Sequence, residues 1–319
     1  MFKAGVYNTI IHFGKTNPEA QHQPVRTRRW GKKPDDFEYN IEVLSSNLQT
    51  TLGLEIFKIK SASQNHIKPK YNLVELKTIC YVSVGMVINS NENGYQGTFK
   101  TQDLLTDKKT TTNPKRFVLG KDIDKWYLRN IRYLEWGTKR APYQFRRPTF
   151  TELQEIKEKL IAVRTPGALP KVTYDNEGLH FDASSVGFIL WYNLKDIINK
   201  SITKTAKYKW QSPDGKREEY ELISEQFHPK YLLAIMNSAF ARDWLVTRRR
   251  SAKHIYPDDW KCLPIVSITM KEQIELVRLV DTILTKFQQN KYPLTLNIAQ
   301  EVAKLQKEID NRVAALYGL

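Results

Sequence analysis

Residues Phe117–Pro166, FVLGKDIDKWYLRNIRYLEWGTKRAPYQFRRPTFTELQEIKEKLIAVRTP, interleave cations with aromatic rings. Between residues 108 and 147 stand twelve cations, Lys108, Lys109, Lys115, Arg116, Lys121, Lys125, Arg129, Arg132, Lys139, Arg140, Arg146 and Arg147, against three acids, Asp122, Asp124 and Glu135. That excess is more than half of the formal net charge of +16. Trp126, Tyr127, Tyr133, Trp136, Tyr143, Phe145 and Phe150 lie among them. Guanidinium groups and rings mixed in this way suit a polyanion that carries flat bases. The structural alternative is a strand-rich core with a basic rim. The two combine if the rings build a platform and the cations meet phosphate.

The whole chain agrees with a polyanionic partner. With 319 residues it has room for one large domain or two ordinary ones. A hydrophobic content of 41% with 11% aromatics excludes a disordered chain. A charge of +16 points to nucleic acid first and a membrane surface only second. The longest apolar runs, Tyr81–Ile88 and Val186–Tyr192, are too short to cross a bilayer. The opening MFKAGVYNTIIHFGK lacks the succession of a signal peptide, so the expected location is the cytoplasm. Cys80 and Cys262 sit in apolar, strand-like surroundings and are expected to be buried thiols.

Around the central stretch, patterning predicts a mixture of strands and helices. Gly5–Phe13 reads as a strand, and Val25–Lys33 as a basic tether around Trp30. Leu76–Ile88 predicts a strand, Asn89–Gly94 a turn, and Leu104–Pro114 an exposed loop. Leu153, Ile156 and Leu160 share a helical face, which predicts a helix over Thr151–Leu160. Lys171–Tyr174 and Val186–Tyr192 read as strands on either side of a turn at Asp175–Gly178. Lys195–Arg217, with Lys207 and Lys209, forms a second basic patch. Pro229–Leu245 predicts a helix with a buried face, and Arg248, Arg249 and Arg250 follow at once. Two amphipathic stripes, Lys271–Gln288 and Ile298–Leu316, predict an antiparallel helix pair joined near Pro293.

Catalytic constellations are not evident. The six histidines have no metal-ligand spacing, and two isolated cysteines assemble no zinc site. Neither a Gly-x-Gly-x-x-Gly loop nor a nucleophile elbow occurs. A nuclease reading of Pro34-Asp35 with Glu75-x-Lys77, or of Pro257-Asp258 alone, rests on patterns short enough to arise by chance.

The succession VLGKDIDKWYL, IRYLEWG, FRRPTFTEL, KLIAVRTPG, VTYDNEGLHF, YLLAIMNSAFARDWL, IYPDDWKCLPI and LYGL resembles the TaqI-like C-terminal specificity region. That region belongs to adenine-specific DNA methyltransferases and to combined restriction–modification enzymes of the Eco57I type. The resemblance runs from about Tyr81 to Leu319, and AGVYNTIIHFGK resembles the final strands of the family's catalytic domain. The family's Asn-Pro-Pro-Tyr segment and adenosylmethionine loop have no counterpart in this sequence.

The resemblance implies an α+β fold, a mixed-sheet DNA target-recognition domain followed by the antiparallel helix pair. The implied divisions are a methyltransferase remnant over 1–35, a connector over 36–68, the recognition domain over 69–265 and a helical region over 266–319. It implies sequence-specific recognition of duplex DNA on behalf of an adenine-specific methyltransferase, as a C-terminal fragment or a separate specificity subunit. S-adenosylmethionine would be carried by a catalytic domain or partner, an endonuclease is a further possible partner, and no membrane is involved. Lys121, Arg129, Arg132, Lys139, Arg140, Arg146 and Arg147 are the first candidates for phosphate contact, with Lys207, Lys209, Arg248, Arg249 and Arg250 second. Arg164 and Asn237 fall in resembling segments and are open to a part in recognition or to a structural role, Arg164 pairing with a carboxylate and Asn237 capping a backbone group. The rival readings are an enzyme that cleaves or methylates DNA in its own right, and a general RNA-binding or scaffold protein.

Overall fold

In a computed structural model, described at residues 25–30, 37–42, 71–88, 101–138, 151–167, 170–197, 202, 217–251, 253–290 and 292–319, the chain divides into two units, Met1–Gln64 and Asn65–Leu319. The first holds an antiparallel hairpin of β1 (Val25–Trp30) and β2 (Phe37–Glu42), with Val25 opposite Glu42 and Trp30 opposite Phe37. The expected tether is therefore a strand, and its partner lies across the expected division at residue 35. The expected strand Gly5–Phe13, the turn at Asn89–Gly94 and most of the Lys195–Arg217 patch lie outside the described residues.

In the second unit, β3 (Leu73–Glu75) leads through a single helical turn, α1 (Leu76–Ile79), into β4 (Cys80–Val84). The expected single strand over Leu76–Ile88 is thus interrupted at its start. Next come the short strands β5 (Leu105–Thr106), β6 (Lys115–Val118), β7 (Ile123–Asp124), β8 (Tyr127–Leu128) and β9 (Arg132–Leu134). The expected exposed loop Leu104–Pro114 is pinned at both ends, because Leu104 and Asn113 are buried and Asn113 Nδ2 donates to Leu104 O at 2.9 Å. Its middle, Lys108–Thr112, is exposed as expected.

The expected helix Thr151–Leu160 is corrected. Only α2 (Thr151–Glu155) is helical, and Lys159–Val163 forms strand β10, buried at every position. Glu158, at φ +61°, reverses the chain between them. Lys159 tolerates burial because its ammonium pairs with buried Asp175 and donates to the carbonyls of Gln154 and Ile156 at 2.8 and 2.9 Å. Asp175 in turn accepts the backbone N–H groups of Glu177 and Leu179, both at 2.8 Å, which fixes the turn predicted there.

Strands β11 (Val172–Asp175), β12 (His180–Phe181) and β13 (Ser185–Leu190) follow. One antiparallel sheet has the order β11-β10-β13-β4, and a mixed sheet has the order β12-β6-β9-β5, in which β12 runs parallel to β6. The sheets meet where Met86 bridges Asp182 and the backbone beside it closes on Gly85. A Cβ at Gly85 would collide with the carbonyls of Phe181 and Asp182, so the contact needs glycine. Both expected strands are present, except that Trp191 and Tyr192 belong to a 3-10 turn rather than to β13.

The remaining elements are α3 (Arg217–Ser224), α4 (Pro229–Met236), α5 (Ala239–Arg248), α6 (Pro257–Lys261), β14 (Pro264–Val266), α7 (Met270–Gln289) and α8 (Leu296–Tyr317). The predicted helix Pro229–Leu245 is two helices. Asn237 ends the first, and Ser238 caps the second by accepting from Ala241 N at 3.3 Å. Every apolar side chain of α4 is buried, as its nearly unbroken apolar sequence requires.

Helices α7 and α8 form the expected antiparallel pair, tied by Lys286–Glu301 near one end and Arg312–Glu275 near the other. Their buried residues, among them Val277, Val280, Ile283, Ile309, Val313 and Tyr317, join those of β4, β10, β11, β13, α4 and α5 in one core. The helix pair is thereby part of the same unit as the sheets. Strand β14 pairs antiparallel with β3, with Ile265 opposite Val74. Cys80 is buried as expected, whereas Cys262, just past α6, is exposed.

Candidate nucleic-acid interface

The central stretch is arranged by Trp126. It sits in the β7–β8 turn at φ +70°, a left-handed conformation in which a bulky residue is strained. Its backbone N–H donates to Val172 O at 3.0 Å and its indole Nε1 to Gln306 Oε1 at 3.0 Å, so strand β11 and helix α8 hold it there. The next ring, Tyr127, stacks on both Phe287 and Tyr292, with centroids 5.2 and 5.0 Å away. Trp136 packs edge-on to His180 at 5.3 Å. Trp126, Tyr127 and Trp136 are thus engaged in packing within the protein. Tyr143, Phe145 and Phe150 lie outside the described residues.

The cations of this stretch divide by their partners. Arg129, at the surface, is paired with Asp124 and lies 5.4 Å from the Tyr292 ring. Burial works against the Asp124 carboxylate, but hydrogen bonds from Arg129, the Lys125 backbone and Lys171 hold it below the usual range. Arg132 donates to Asp122 at 2.6 Å, and Asp107 is 3.8 Å from its Nε. Lys125 is pushed down to about 8 by burial, with Arg242 adding to the effect and Asp310 opposing it. Lys121 is exposed. Lys139, Arg140, Arg146, Arg147, Lys207 and Lys209 lie outside the described residues.

The second group, Arg248–Arg250, belongs to a surface that joins two loops. The loop after β10 meets the loop after α5, since Ile255 N donates to Arg164 O at 2.8 Å and Thr165 Oγ1 lies 2.8 Å from His254 Nδ1. The Tyr256 ring is 5.5 Å from the guanidinium of Arg164 and 5.5 Å from that of Arg250. Arg250 is charge-paired with Asp258 and Asp259, at 3.0 and 3.3 Å. Arg249 Nη1 reaches Gly167 O at 3.4 Å. Arg248 lies over Trp244, 3.5 Å from the ring centroid. Among the described residues no carboxylate pairs with Arg248 or Arg249.

The two residues of mixed expectation are both tied to backbone. Arg164 donates from Nη1 to Ala183 O at 2.7 Å, so the carboxylate partner expected of it is replaced by a carbonyl. Asn237 meets the backbone of Val172 with both ends of its amide, as a backbone-capping residue. Trp244 was expected on the buried face of the Pro229–Leu245 helix with Leu232, Leu233, Ile235, Met236 and Phe240 but is only half-buried, and no role was expected of His254 or Tyr256. The four-residue spacing of Trp244 and Arg248 on one helix is the signal that joins the ring to an arginine.

Chemically, this surface can bind anions and stack on flat groups. Among the described residues no group of three or more His, Cys, Asp or Glu could hold a metal ion. His180, whose pKa burial pushes down, is enclosed between sheet and ring, with Glu155 Oε1 3.8 Å from its Nε2. No described helix is long and apolar enough to cross a membrane.

No family model matches the chain, and no curated protein does. Solved structures do. The type IIL restriction–modification enzyme MmeI in complex with DNA is 11% identical, over 78% of this chain and 34% of that one, with a TM-score of 0.48. The HsdS subunit from Thermoanaerobacter tengcongensis is 14% identical, over 81% and 46%, with a TM-score of 0.38. The S subunit of a type I restriction–modification system from M. genitalium is 10% identical, over 77% and 45%, with a TM-score of 0.36. Each match spans less than half of the other chain. All three are proteins of restriction–modification systems, and at these identities and scores the likeness carries no argument about what this chain binds.

Proposed function

We propose that this chain recognises duplex DNA sequence-specifically for an adenine-specific restriction–modification methyltransferase, as a C-terminal fragment or a separate specificity subunit. The observation that carries the reading is the surface formed by Arg164, Arg248, Arg249, His254 and Tyr256, where among the described residues the three guanidinium groups have no carboxylate partner, and those of Arg164 and Arg248 stand beside the Tyr256 and Trp244 rings. Cations of this kind engage phosphate and base edges without first breaking an internal ion pair. The formal charge of +16 and the resemblance from Tyr81 to Leu319 support the same partner.

In this reading chemistry belongs to the partner. A methyltransferase domain or subunit carries S-adenosylmethionine and turns the adenine out of the stack, while this chain fixes which adenine is presented. The complex acts in the cytoplasm.

The test is retention of random DNA duplexes by the purified chain at moderate salt, with sequencing of what is bound and structured RNA as competitor. Enrichment of a short motif, undisturbed by RNA, is expected. Retention without a motif, or displacement by RNA, overturns the proposal.

A further inference from the structure

The stack of Arg248 on Trp244 deepens the duplex-recognition reading and rests on it. We propose that Arg248 reads a guanine edge in the major groove and so sets one position of the target sequence, in place of the phosphate contact expected of it.

The argument starts from spacing. Trp244 and Arg248 are four residues apart on α5, hence on one face, with Arg248 closing the helix. At 3.5 Å from the ring centroid, only a guanidinium lying flat avoids driving a nitrogen into the indole. Flat stacking fixes the plane and turns the N–H groups outward along the edge. Nη1 makes a 3.3 Å hydrogen bond to Thr247 Oγ1. Nε and Nη2 have no protein acceptor among the described residues, and together they offer two parallel N–H groups, the fork that guanine O6 and N7 accept.

Its neighbours are built differently. Arg249 reaches a backbone carbonyl and Arg250 is held by two carboxylates, so neither presents a fork of fixed plane with no acceptor. A phosphate also takes such a fork, but its oxygens can be met from many directions and a lysine point charge serves it as well, so a fixed plane matters less to it than to a base edge. A base edge rewards orientation, because both hydrogen bonds form only when ring and guanidinium are coplanar.

The experiment compares the motifs enriched from random duplexes by the wild-type chain, Arg248→Lys and Arg248→Ala, and then measures the affinity of each for the wild-type motif across salt concentrations. Lysine keeps the charge and loses the fork. The expected result is a wild-type motif with one guanine position at which both variants lose preference, with Arg248→Lys binding the wild-type motif about tenfold or more weakly at an unchanged salt slope. Trp244→Leu, which frees the plane, relaxes the same position. If Arg248→Lys keeps the full motif while Arg248→Ala lowers the salt slope by about one on every sequence alike, Arg248 is a phosphate contact and the proposal falls. If the wild-type chain enriches no motif, the recognition reading itself fails, which is a different result from a motif that the lysine variant leaves intact.

Discussion

Asn237 forms two hydrogen bonds with the backbone of Val172: Oδ1 accepts from Val172 N at 3.1 Å and Nδ2 donates to Val172 O at 2.9 Å. The side chain thereby behaves as one further residue of a strand alongside β11, supplied from the end of a helix. The same carbonyl receives Trp126 N, and Gln306 Nε2 reaches Asn237 O at 3.3 Å, so a single amide connects sheet, turn and C-terminal helix.

Replacing that amide removes two buried hydrogen bonds and leaves a buried N–H unmet. Asn237→Ala is expected to cost about 2–4 kcal/mol, read as a lower urea midpoint with an unchanged slope. Asn237→Asp keeps the acceptor and sets a carboxylate oxygen against Val172 O, so its loss should grow as pH rises through the carboxylate range. An Asn237→Ala midpoint equal to that of the wild type would refute the role.

Lys159 and Asp175 are buried together in the antiparallel sheet. Lys159→Met keeps the length and removes the charge, stranding a buried carboxylate. A loss of about 3–5 kcal/mol is expected, with the urea midpoint falling in proportion. A loss below about 1 kcal/mol, the range of an exposed pair, would show that water reaches the site.

His180 predicts a pH dependence. Burial first, then Lys115 and Lys159, push its imidazole down to about 3. The unfolded chain therefore takes up a proton near pH 6.5 that the folded chain refuses. Its contribution is fully present above about pH 6.5 and is lost as pH falls toward about 3, at up to about 1.4 kcal/mol per pH unit. His180→Gln should remove that slope. Unfolding free energies measured at several pH values between 6.5 and 4 check it, and parallel curves for variant and wild type would contradict it.

Arg129 gives a prediction of opposite sign for binding. Its charge is answered by Asp124, which also pairs with Lys171 at 3.2 Å. Under the duplex-binding proposal, Asp124→Asn frees both cations, and affinity for any duplex should rise while the salt slope steepens by up to about two. Arg249→Gln should flatten the slope by about one. Measuring log K against log salt for the three proteins checks both, and identical slopes would place these cations away from the phosphates.

The fold was legible where its cause was local. The α7–α8 pair carries apolar residues at helical spacing over long segments, and a pattern of that length has few alternatives. The failures have distant causes. Leu153, Ile156 and Leu160 imitate a helix because the reason to leave it, a carboxylate ready to receive Lys159, stands at Asp175. Pro229–Leu245 reads as one helix because nothing nearby shows that Asn237 is engaged by Val172, 65 positions earlier. The basic surface was legible as composition only. Which arginines are already neutralised depends on contacts such as Arg132 with Asp122 and Arg250 with Asp258, and the neighbour of Arg164 at Tyr256 is about ninety residues away.

The pairing of β3 with β14 places a constraint on synthesis. Val74 finds its partner in Ile265, roughly 190 residues later. At about 5–20 residues per second a ribosome needs on the order of 10–40 seconds to cover that interval. Throughout it the edge formed by Leu73–Glu75 lacks its native neighbour, and an open strand edge invites pairing with other nascent chains. Production of this protein should therefore depend on whatever shields that edge until the last sixty residues have emerged.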